Sequence, residues 1–79
     1  MSYYQFDLTP RQEQILEMML NGKTNTQIGK QLGYAPQSIR NQLSSNDLSS
    51  LYSVMGVQSR TQAVVTYLGW RSLRQRGLA

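Results

Sequence analysis

Three stretches of this 79-residue chain carry the signature of a helix start, and together they constrain most of its architecture. In each, a Thr or Ser is followed three positions later by Gln, the pattern of a reciprocal N-terminal capping box. The three pairs are Thr9 and Gln12, Thr24 and Gln27, and Ser59 and Gln62. Pro10 also fits the first turn of the first helix. The sequence therefore predicts an all-α fold with helices that begin near these caps.

The stretch from Pro36 to Ser45 predicts a further short helix with two different faces. Ile39 and Leu43 lie four positions apart and form an apolar seam that can pack on a core. The other positions carry amide, hydroxyl and guanidinium groups of the kind that bind nucleic acid, and no acid: Gln37, Ser38, Arg40, Asn41, Gln42 and Ser44. We interpret this stretch as a recognition helix. The alternative is a polar, solvated helix face without a ligand.

The segment before the recognition helix completes a helix-turn-helix. Ile28 and Leu32 form the buried pair of a two-turn helix that ends at Gly33, and Gly33 opens the turn that continues to Ala35. Gly29 inside that helix costs about 1 kcal/mol relative to Ala. We therefore expect another helix to approach the chain closely at Gly29.

The composition argues against catalysis. A chain of this length supports one small domain with a single thin core. It contains no cysteine and no histidine, which removes the commonest general base and the commonest metal ligands. Its four acids (Asp7, Glu13, Glu17 and Asp47) are scattered along the chain. We expect no catalytic residue, no metal site and no cofactor.

The net charge of +4 suits a polyanionic partner, although a solvated basic surface without a partner is the alternative. No stretch approaches the roughly 20 apolar residues of a membrane span. The N-terminus lacks the charged and apolar regions of a signal peptide. We expect a cytoplasmic protein without membrane contact.

Four linked motifs resemble the LuxR-type (GerE-like) DNA-binding domain over about residues 8–68. They are Leu8-Thr9-Pro10-Arg11-Gln12, the run from Asn25 through Ile28-Gly29 to Leu32-Gly33, Ser38-Ile39-Arg40-Asn41-Gln42-Leu43, and Met55-Gly56-Val57-Gln58-Ser59-Arg60-Thr61-Gln62-Ala63. The resemblance implies four helices, of which the third enters the major groove of DNA and the fourth often forms the dimer contact. Sigma factor region four is a related helix-turn-helix, and the last motif favours the LuxR-type reading over it.

Carried over position by position, the resemblance implies that three residues contact bases: Arg40, Asn41 and Ser44. Contacts to the DNA backbone are expected from Gln37, Ser38, Gln42, Thr26 and Arg60. The chemistry agrees, because Arg40 can bond a guanine edge and Asn41 an adenine edge in bidentate fashion, each worth about 1–3 kcal/mol of discrimination. Polar neighbours can hold phosphates and fix the register.

The chain departs from the family pattern at two places. Ala35-Pro36 stands where the family usually has a Ser or Thr cap, a loss of about 1 kcal/mol that the preset backbone angle of proline partly offsets. The second departure is a near-duplication, in which residues 41–45 are followed directly by the similar residues 46–50. About five extra residues thus lie inside what is normally one continuous helix.

Five residues rotate an α-helix by about 140° beyond a full turn and lengthen it by about 7.5 Å. Ile39 and Leu43 would then face nearly opposite to a second apolar set: Leu48, Leu51, Tyr52 and Met55. We favour a break near Ser44–Asp47, because Ser, Asn and Asp stabilise caps and turns. The alternatives are a continuous helix that presents Leu48 and Leu51 to a partner, and a second copy that docks on DNA through Asn46. The fold therefore has four helices, or five if the third breaks.

The last helix carries two apolar stripes. Ala63, Val64 and Tyr67 suit the core, whereas a second stripe of small or apolar residues suggests a dimer interface: Thr61, Val65, Leu68 and Ser72. Packing of this stripe against the N-terminal arm is the alternative. Gly69 is a place where this helix can end or bend.

We divide the chain into an N-terminal arm (1–7), a LuxR-type domain (8–69) and a basic C-terminal tail (70–79) that begins at Trp70. The arm carries Tyr3, Tyr4 and Phe6, which we expect to pad the core rather than to stack on bases. The chain has no room for a receiver or signal-sensing domain, so we expect a stand-alone member of the family.

The sequence thus predicts a transcriptional regulator that binds double-stranded DNA sequence-specifically through a recognition helix, as a homodimer. The alternative is a small adaptor that uses the same fold mainly to bind RNA polymerase or another regulator. Substitution of Arg40 distinguishes the two, since only the DNA reader would lose sequence discrimination.

Overall fold

The computed structural model describes residues 6–45 and 48–77, which form five α-helices. These are α1 (Pro10–Leu20), α2 (Asn25–Leu32), α3 (Pro36–Leu43), α4 (Leu51–Met55) and α5 (Arg60–Gln75). The described residues contain no strand, so the predicted all-α helix-turn-helix fold is confirmed, in its five-helix form. Tyr3 and Tyr4 of the arm and Asn46 and Asp47 of the duplicated segment lie outside the described residues.

Reciprocal caps start α1 and α2 as the sequence predicts. The Thr9 hydroxyl accepts a hydrogen bond from the Gln12 N–H (3.2 Å), and the Gln12 side chain accepts one from the Thr9 N–H (2.9 Å). Thr24 and Gln27 repeat this exchange at 3.2 and 2.8 Å. Each pair satisfies two of the donors that a helix N-terminus otherwise leaves free.

The third predicted capping box forms only in part. The Ser59 hydroxyl accepts from the Gln62 N–H (3.1 Å), but the Gln62 side chain accepts from the Gln58 N–H (2.8 Å) instead of the Ser59 N–H. The backbone explains the difference, because φ is −143° at Ser59 and −73° at Thr9. The more extended angle turns the Ser59 N–H away from the helix, and the side chain of Gln62 binds the preceding amide.

The turn of the helix-turn-helix folds back onto α2. The carbonyl oxygen of Gly29 accepts hydrogen bonds from the N–H groups of Gly33 (2.8 Å) and Tyr34 (2.7 Å). Gly33 ends the helix in the left-handed conformation, with φ at 84°. A Cβ atom at Gly29 would overlap the carbonyl oxygen of Tyr34. The expected close approach at Gly29 therefore exists, but the neighbour is the backbone of the turn and not another helix.

The helix that the family pattern makes continuous is interrupted here after Leu43. Ser44 is extended (φ −142°, ψ 102°), and α4 begins only at Leu51. The break lets Leu43, Leu51 and Met55 all reach the same core. Leu48, in the connection, stays 87% exposed. The predicted break is confirmed, and a single continuous helix over this segment is excluded. Docking through Asn46 concerns a residue outside the described part.

All five helices contribute to the core, α2 through Ile28, and α5 contributes more to it than the sequence suggests. Gly69, a potential helix end, lies inside α5, which continues to Gln75. Trp70, expected to begin a tail, is buried between Phe6 and Tyr67, with ring centres 6.4 and 6.0 Å away. For Phe6 the prediction that the arm pads the core is confirmed.

Ion pairs hold α5 against α1. Glu17 accepts a short hydrogen bond from the Tyr67 hydroxyl and lies 3.2 Å from Nε of Arg71. Glu13 pairs with Arg74 at 3.0 Å, and the Arg74 guanidinium lies over the Trp70 ring. Burial, together with the bond to Glu17, raises the pKa of Tyr67 above its ordinary value. Both glutamates of α1 are therefore neutralised by cations of α5.

No helix within residues 6–45 or 48–77 combines the length and the apolar character needed to cross a membrane.

Candidate nucleic-acid interface

A basic hollow of about 410 Å³ lies where the N-terminal ends of α2, α3 and α5 converge. Its cations are Lys23, Arg40 and Arg60, and Thr26 and Gln37 add polar side chains. Among the described residues that line it there is no carboxylate. Three positive charges around a concave surface without an acid produce a local potential that attracts an anion. We call this surface the basic hollow.

Arg60 is fixed in the basic hollow by two hydrogen bonds. Its guanidinium donates to the side-chain oxygen of Asn25 (2.8 Å) and to the carbonyl oxygen of Lys23 (2.5 Å). These bonds connect the start of α5 to the α1–α2 loop and the first residue of α2. Arg60 therefore stabilises the fold through these bonds, and its charge also lines the basic hollow.

A second concavity, of about 420 Å³, lies on the other side of α3. Asn41 and Gln42 line it together with Thr9 and Arg11 from the start of α1 and Ser45 from beyond the end of α3. We call it the α1–α3 hollow. The polar residues of α3 therefore divide between two surfaces, with Gln37 and Arg40 on one and Asn41 and Gln42 on the other.

The side chains that the sequence analysis assigns to bases are all exposed: Arg40, Asn41 and Ser44. Ser44 differs from the other two, because it is the C-terminal cap of α3 and its backbone is extended. It therefore no longer follows the helical spacing that would place it one turn after Arg40 on the same face.

The residues assigned to the DNA backbone are more dispersed. Thr26, Gln37 and Arg60 line the basic hollow, whereas Gln42 lines the α1–α3 hollow. Ser38 and Gln42 are half-buried. The structure thus brings three of these five side chains together with Arg40 around one concavity.

The start of α3 lacks a side-chain cap, as the sequence predicts. Ala35 makes no capping bond, and Pro36 occupies the first turn. The N–H groups of Ser38 and Ile39 instead bond to the carbonyl of Ala35 at 3.0 and 3.3 Å.

Sequence reasoning missed two features of this surface. Lys23 lines the basic hollow, and the available signal was a cation directly before the cap of α2. Arg11 donates a 2.7 Å hydrogen bond to the Tyr34 hydroxyl, and its guanidinium lies 5.0 Å from the centre of that ring. The interaction of Arg11 with Tyr34 connects the start of α1 to the turn before α3 across 23 positions, and no local pattern indicates it.

The stripe assigned to the dimer interface lies on the surface of α5. Thr61, Val65, Leu68 and Ser72 are all exposed. Val65 is 63% and Leu68 43% exposed, values that leave two large apolar side chains in solvent. Thr61 and Val65 also line a shallow depression with Val57 and Thr66.

Comparison with protein-family models matches residues 7–67 to a family described as bacterial regulatory proteins, luxR family (GerE). The chain belongs to this family. A luxR-family domain indicates DNA-binding transcription regulation, and the family is not typically enzymatic. The match includes the whole helix-turn-helix and the first half of α5. Neither the curated proteins nor the solved structures yield a match to this chain.

Groups of three or more His, Cys, Asp or Glu side chains suited to a metal ion are absent from the described part of the luxR-family domain.

Proposed function

We propose that this protein regulates transcription by binding duplex DNA sequence-specifically, with α3 in the major groove and two copies of the chain on one site. The observation that carries the proposal is the basic hollow beside α3. There, three cations surround the start of an exposed polar helix in a domain of the luxR family. Phosphates on either side of a major groove would meet such a surface when a helix enters the groove.

The base contacts follow from the exposed side chains of α3. Arg40 presents a fork of donors that matches the two acceptors of guanine, and Asn41 a donor and an acceptor that match adenine. Ser44 is the third proposed base contact, and it would reach DNA from the extended residue just beyond the helix and not from the face of Arg40. Each bidentate contact discriminates against the wrong base by about 1–3 kcal/mol.

The backbone contacts surround these positions. In the basic hollow, Thr26, Gln37 and Arg60 are joined by Lys23, which adds a cation that the sequence analysis did not assign. Ser38 and Gln42 complete the set along α3. Such contacts position the helix and supply salt-dependent affinity that is nearly independent of sequence.

Dimerisation through α5 is the third part of the proposal. Val65 and Leu68 leave apolar surface exposed in a small domain, flanked by the short polar side chains of Thr61 and Ser72. A two-fold dimer would bury the same stripe of both copies and would present two α3 helices to a pseudo-palindromic site.

The decisive experiment is selection of bound duplexes from a random pool, followed by sequencing, at two salt concentrations. We expect an enriched two-fold motif that persists at the higher salt. Weak binding that vanishes with salt and enriches no sequence would mean that only the net charge meets DNA. That outcome would overturn the proposal.

One observation favours a second candidate, an adaptor that binds RNA polymerase or another regulator. Leu48 is 87% exposed in the connection that interrupts the recognition helix, where the family pattern has no extra residues. Arg40→Ala separates the two functions. With Arg40→Ala, a DNA reader would lose sequence discrimination at one base pair, whereas an adaptor would keep its activity. With Leu48→Ser, a DNA reader would keep its sequence discrimination, whereas an adaptor would lose its activity.

A further inference from the structure

Two side chains on the exposed face of α3 are bonded to each other. The Nε2 group of Gln37 donates a 3.1 Å hydrogen bond to Oδ1 of Asn41, one helical turn later. Both side chains are exposed. Gln37 lines the basic hollow and Asn41 the α1–α3 hollow, so the bond crosses the ridge of the helix between the two surfaces.

This bond determines which atom of the Asn41 amide, the oxygen or the nitrogen, is held on the side of Gln37. An asparagine amide has an acceptor oxygen and a donor nitrogen on two branches of nearly equal shape, so a half-turn of the group exchanges them. In the structure Gln37 presents its donor, Nε2, and its partner is therefore the oxygen of Asn41. It therefore holds Oδ1 on the side of Gln37 and leaves Nδ2, with both its hydrogens, on the other branch.

We propose that Gln37 is a positioning residue, which orients the Asn41 amide and thereby determines the base that Asn41 selects. This inference rests on the proposed function, because it assumes that α3 meets base edges. It assigns Gln37 a role through Asn41 in place of the expected contact to the DNA backbone.

The base selected follows from the pattern of donors and acceptors in the major groove. Adenine presents the acceptor N7 and the donor N6–H₂, whereas guanine presents two acceptors, N7 and O6. With the amide held, Nδ2 donates to N7 and the second lone pair of Oδ1 accepts from adenine. Against guanine the same Oδ1 would face O6, acceptor against acceptor. An amide free to turn could instead place Nδ2 on O6, which weakens the preference for adenine.

The test is a double-mutant cycle on the full chain. Affinities are measured for the duplex that the wild-type protein selects and for the duplex with guanine in place of the adenine at the position that Asn41→Ala affects. The variants are Gln37→Met, which keeps the length of the side chain and removes its donor, Asn41→Ala, and the two combined. The ratio of the two affinities is the readout.

We expect Gln37→Met to reduce the preference for adenine by about fivefold or more, within the roughly 5- to 150-fold that a bidentate contact provides. Asn41→Ala should reduce the preference at the same base pair and no other. In the Asn41→Ala background, Gln37→Met should cause no further loss, because its effect acts through the amide that is absent.

A second variant tests the direction of the bond. A carboxylate only accepts hydrogen bonds, so in Gln37→Glu the Asn41 amide can pair with position 37 only through Nδ2, which turns the group round. Gln37→Glu should therefore lose the preference for adenine as Gln37→Met does. The added negative charge weakens binding to both duplexes alike and cancels in the ratio.

The matched control for Gln37→Met is Gln14→Met, the same change at an exposed position of α1, which should leave the ratio unchanged. The inference is overturned if Gln37→Met weakens both duplexes equally and adds to Asn41→Ala, the behaviour of a backbone contact. It is equally overturned if Gln37→Glu keeps the preference. Failure of the proposed function looks different, since the wild-type protein itself would then select no sequence.

Discussion

Gly29 lies in the last turn of α2, where the backbone of the turn returns onto the helix. Its carbonyl oxygen bonds to the N–H groups of Gly33 and Tyr34, and the Tyr34 carbonyl occupies the space that a side chain would need. The contact is with backbone, which cannot move aside as a flexible side chain can. The angle between α2 and α3 therefore depends on the absence of one methyl group.

Gly29→Ala should destabilise the domain although alanine is the better helix former. The gain in helix propensity is about 1 kcal/mol, whereas forcing an added methyl group into a closed site costs typically 1–3 kcal/mol and occasionally more. We expect a lower midpoint of urea denaturation. Lys30→Ala, at the next and exposed position of the same helix, should leave the midpoint nearly unchanged. A stabilised Gly29→Ala protein would contradict the overlap.

Tyr67 gives stability a defined dependence on pH. Burial and the bond to Glu17 raise its pKa in the folded protein above the value of about 10 in the unfolded chain. The folded state therefore holds the phenolic proton more tightly. The resulting stabilisation is complete below about pH 10 and is lost as the pH rises through and above that value.

The free energy of unfolding should therefore fall between about pH 8 and about pH 10.5. In Tyr67→Phe this fall should be smaller, because the group responsible for it is gone. Tyr52, whose pKa burial also raises, stays in the variant and leaves some of the dependence. Urea denaturation at the two pH values measures both proteins. An equal fall in both would show that Tyr67 is not the linked group.

At the scale of secondary-structure elements, the interruption between α3 and α4 is where this chain departs from the continuous helix that the family resemblance implies. Leu43 and Leu51 both reach the core because the chain leaves the helix at Ser44 and starts again after Ser50. Without the break, the five extra residues would rotate one apolar set into solvent. The break buries Leu51 and Met55 together with Leu43, which offsets the hydrogen bonds that a continuous helix would add, while Leu48 stays exposed.

Deleting Asn46–Ser50 should restore one continuous helix. In the shortened chain, Leu51 and Met55 would follow Ile39 and Leu43 at i, i+4, i+7 and i+11, a single helical face. We expect a folded protein with more helix by far-ultraviolet circular dichroism. Deleting only Asn46–Leu48 would place Leu51 nine positions after Ile39, about half a turn away, and should add no helix. Loss of folding in the five-residue deletion would contradict this account.

The helix starts were predictable because caps are local: Thr9, Thr24 and their partners lie three residues apart. The break was predictable in kind, since the duplication forces two apolar sets out of phase. The burial of Trp70 was also predictable, because Ala63, Tyr67 and Trp70 lie on one helical face at i, i+4 and i+7. A basic context with Gly69 nearby favoured a tail instead.

Long-range contacts were not predictable from the sequence. Arg60 binds Asn25 and the carbonyl of Lys23 across more than 30 positions. Nothing in the pattern around Arg60 distinguishes this fixed guanidinium from one that is free in solvent. The bond between Gln37 and Asn41 is local, yet it is one of several pairings that neighbouring amides and hydroxyls on α3 could make.

The whole molecule separates its charges. Glu13 and Glu17 pair with Arg74 and Arg71 on the face where α1 meets α5. The cations around the basic hollow have no carboxylate beside them among the described lining residues. Three of the eight cations of the chain therefore lie together beside α3.

Removal of a cation from the basic hollow should lower the salt dependence of DNA binding. Each lysine or arginine that neutralises a phosphate contributes about one unit to the slope of log affinity against log salt concentration. Lys23→Ala should reduce the slope by about that amount and weaken binding to all sequences equally. Lys30→Ala, outside the hollow, should leave the slope unchanged. Equal slopes for the wild-type and Lys23→Ala proteins would remove Lys23 from the interface.

Dimerisation through α5 can be tested without DNA. Val65→Glu and Leu68→Glu place a charge on the proposed interface, which should convert dimers to monomers in sedimentation experiments, with helix content unchanged because both side chains are exposed. Leu48→Glu adds the same charge at an apolar position outside α5 and serves as the control. Unchanged sedimentation of the α5 variants would place self-association elsewhere.

On the proposed function, the shortness of α3 limits how much of a genome one copy can distinguish. Eight residues span about 12 Å along the helix axis, the length of about four base pairs. A word of four base pairs recurs by chance about once in 256, far too often among the roughly 10⁶–10⁹ competing positions of a genome. Two copies that read about eight base pairs reduce this to about one in 65,000. On the proposed function, a recognition helix of two turns therefore depends on a second copy of the chain, because about 256-fold fewer chance sites then compete with the true one.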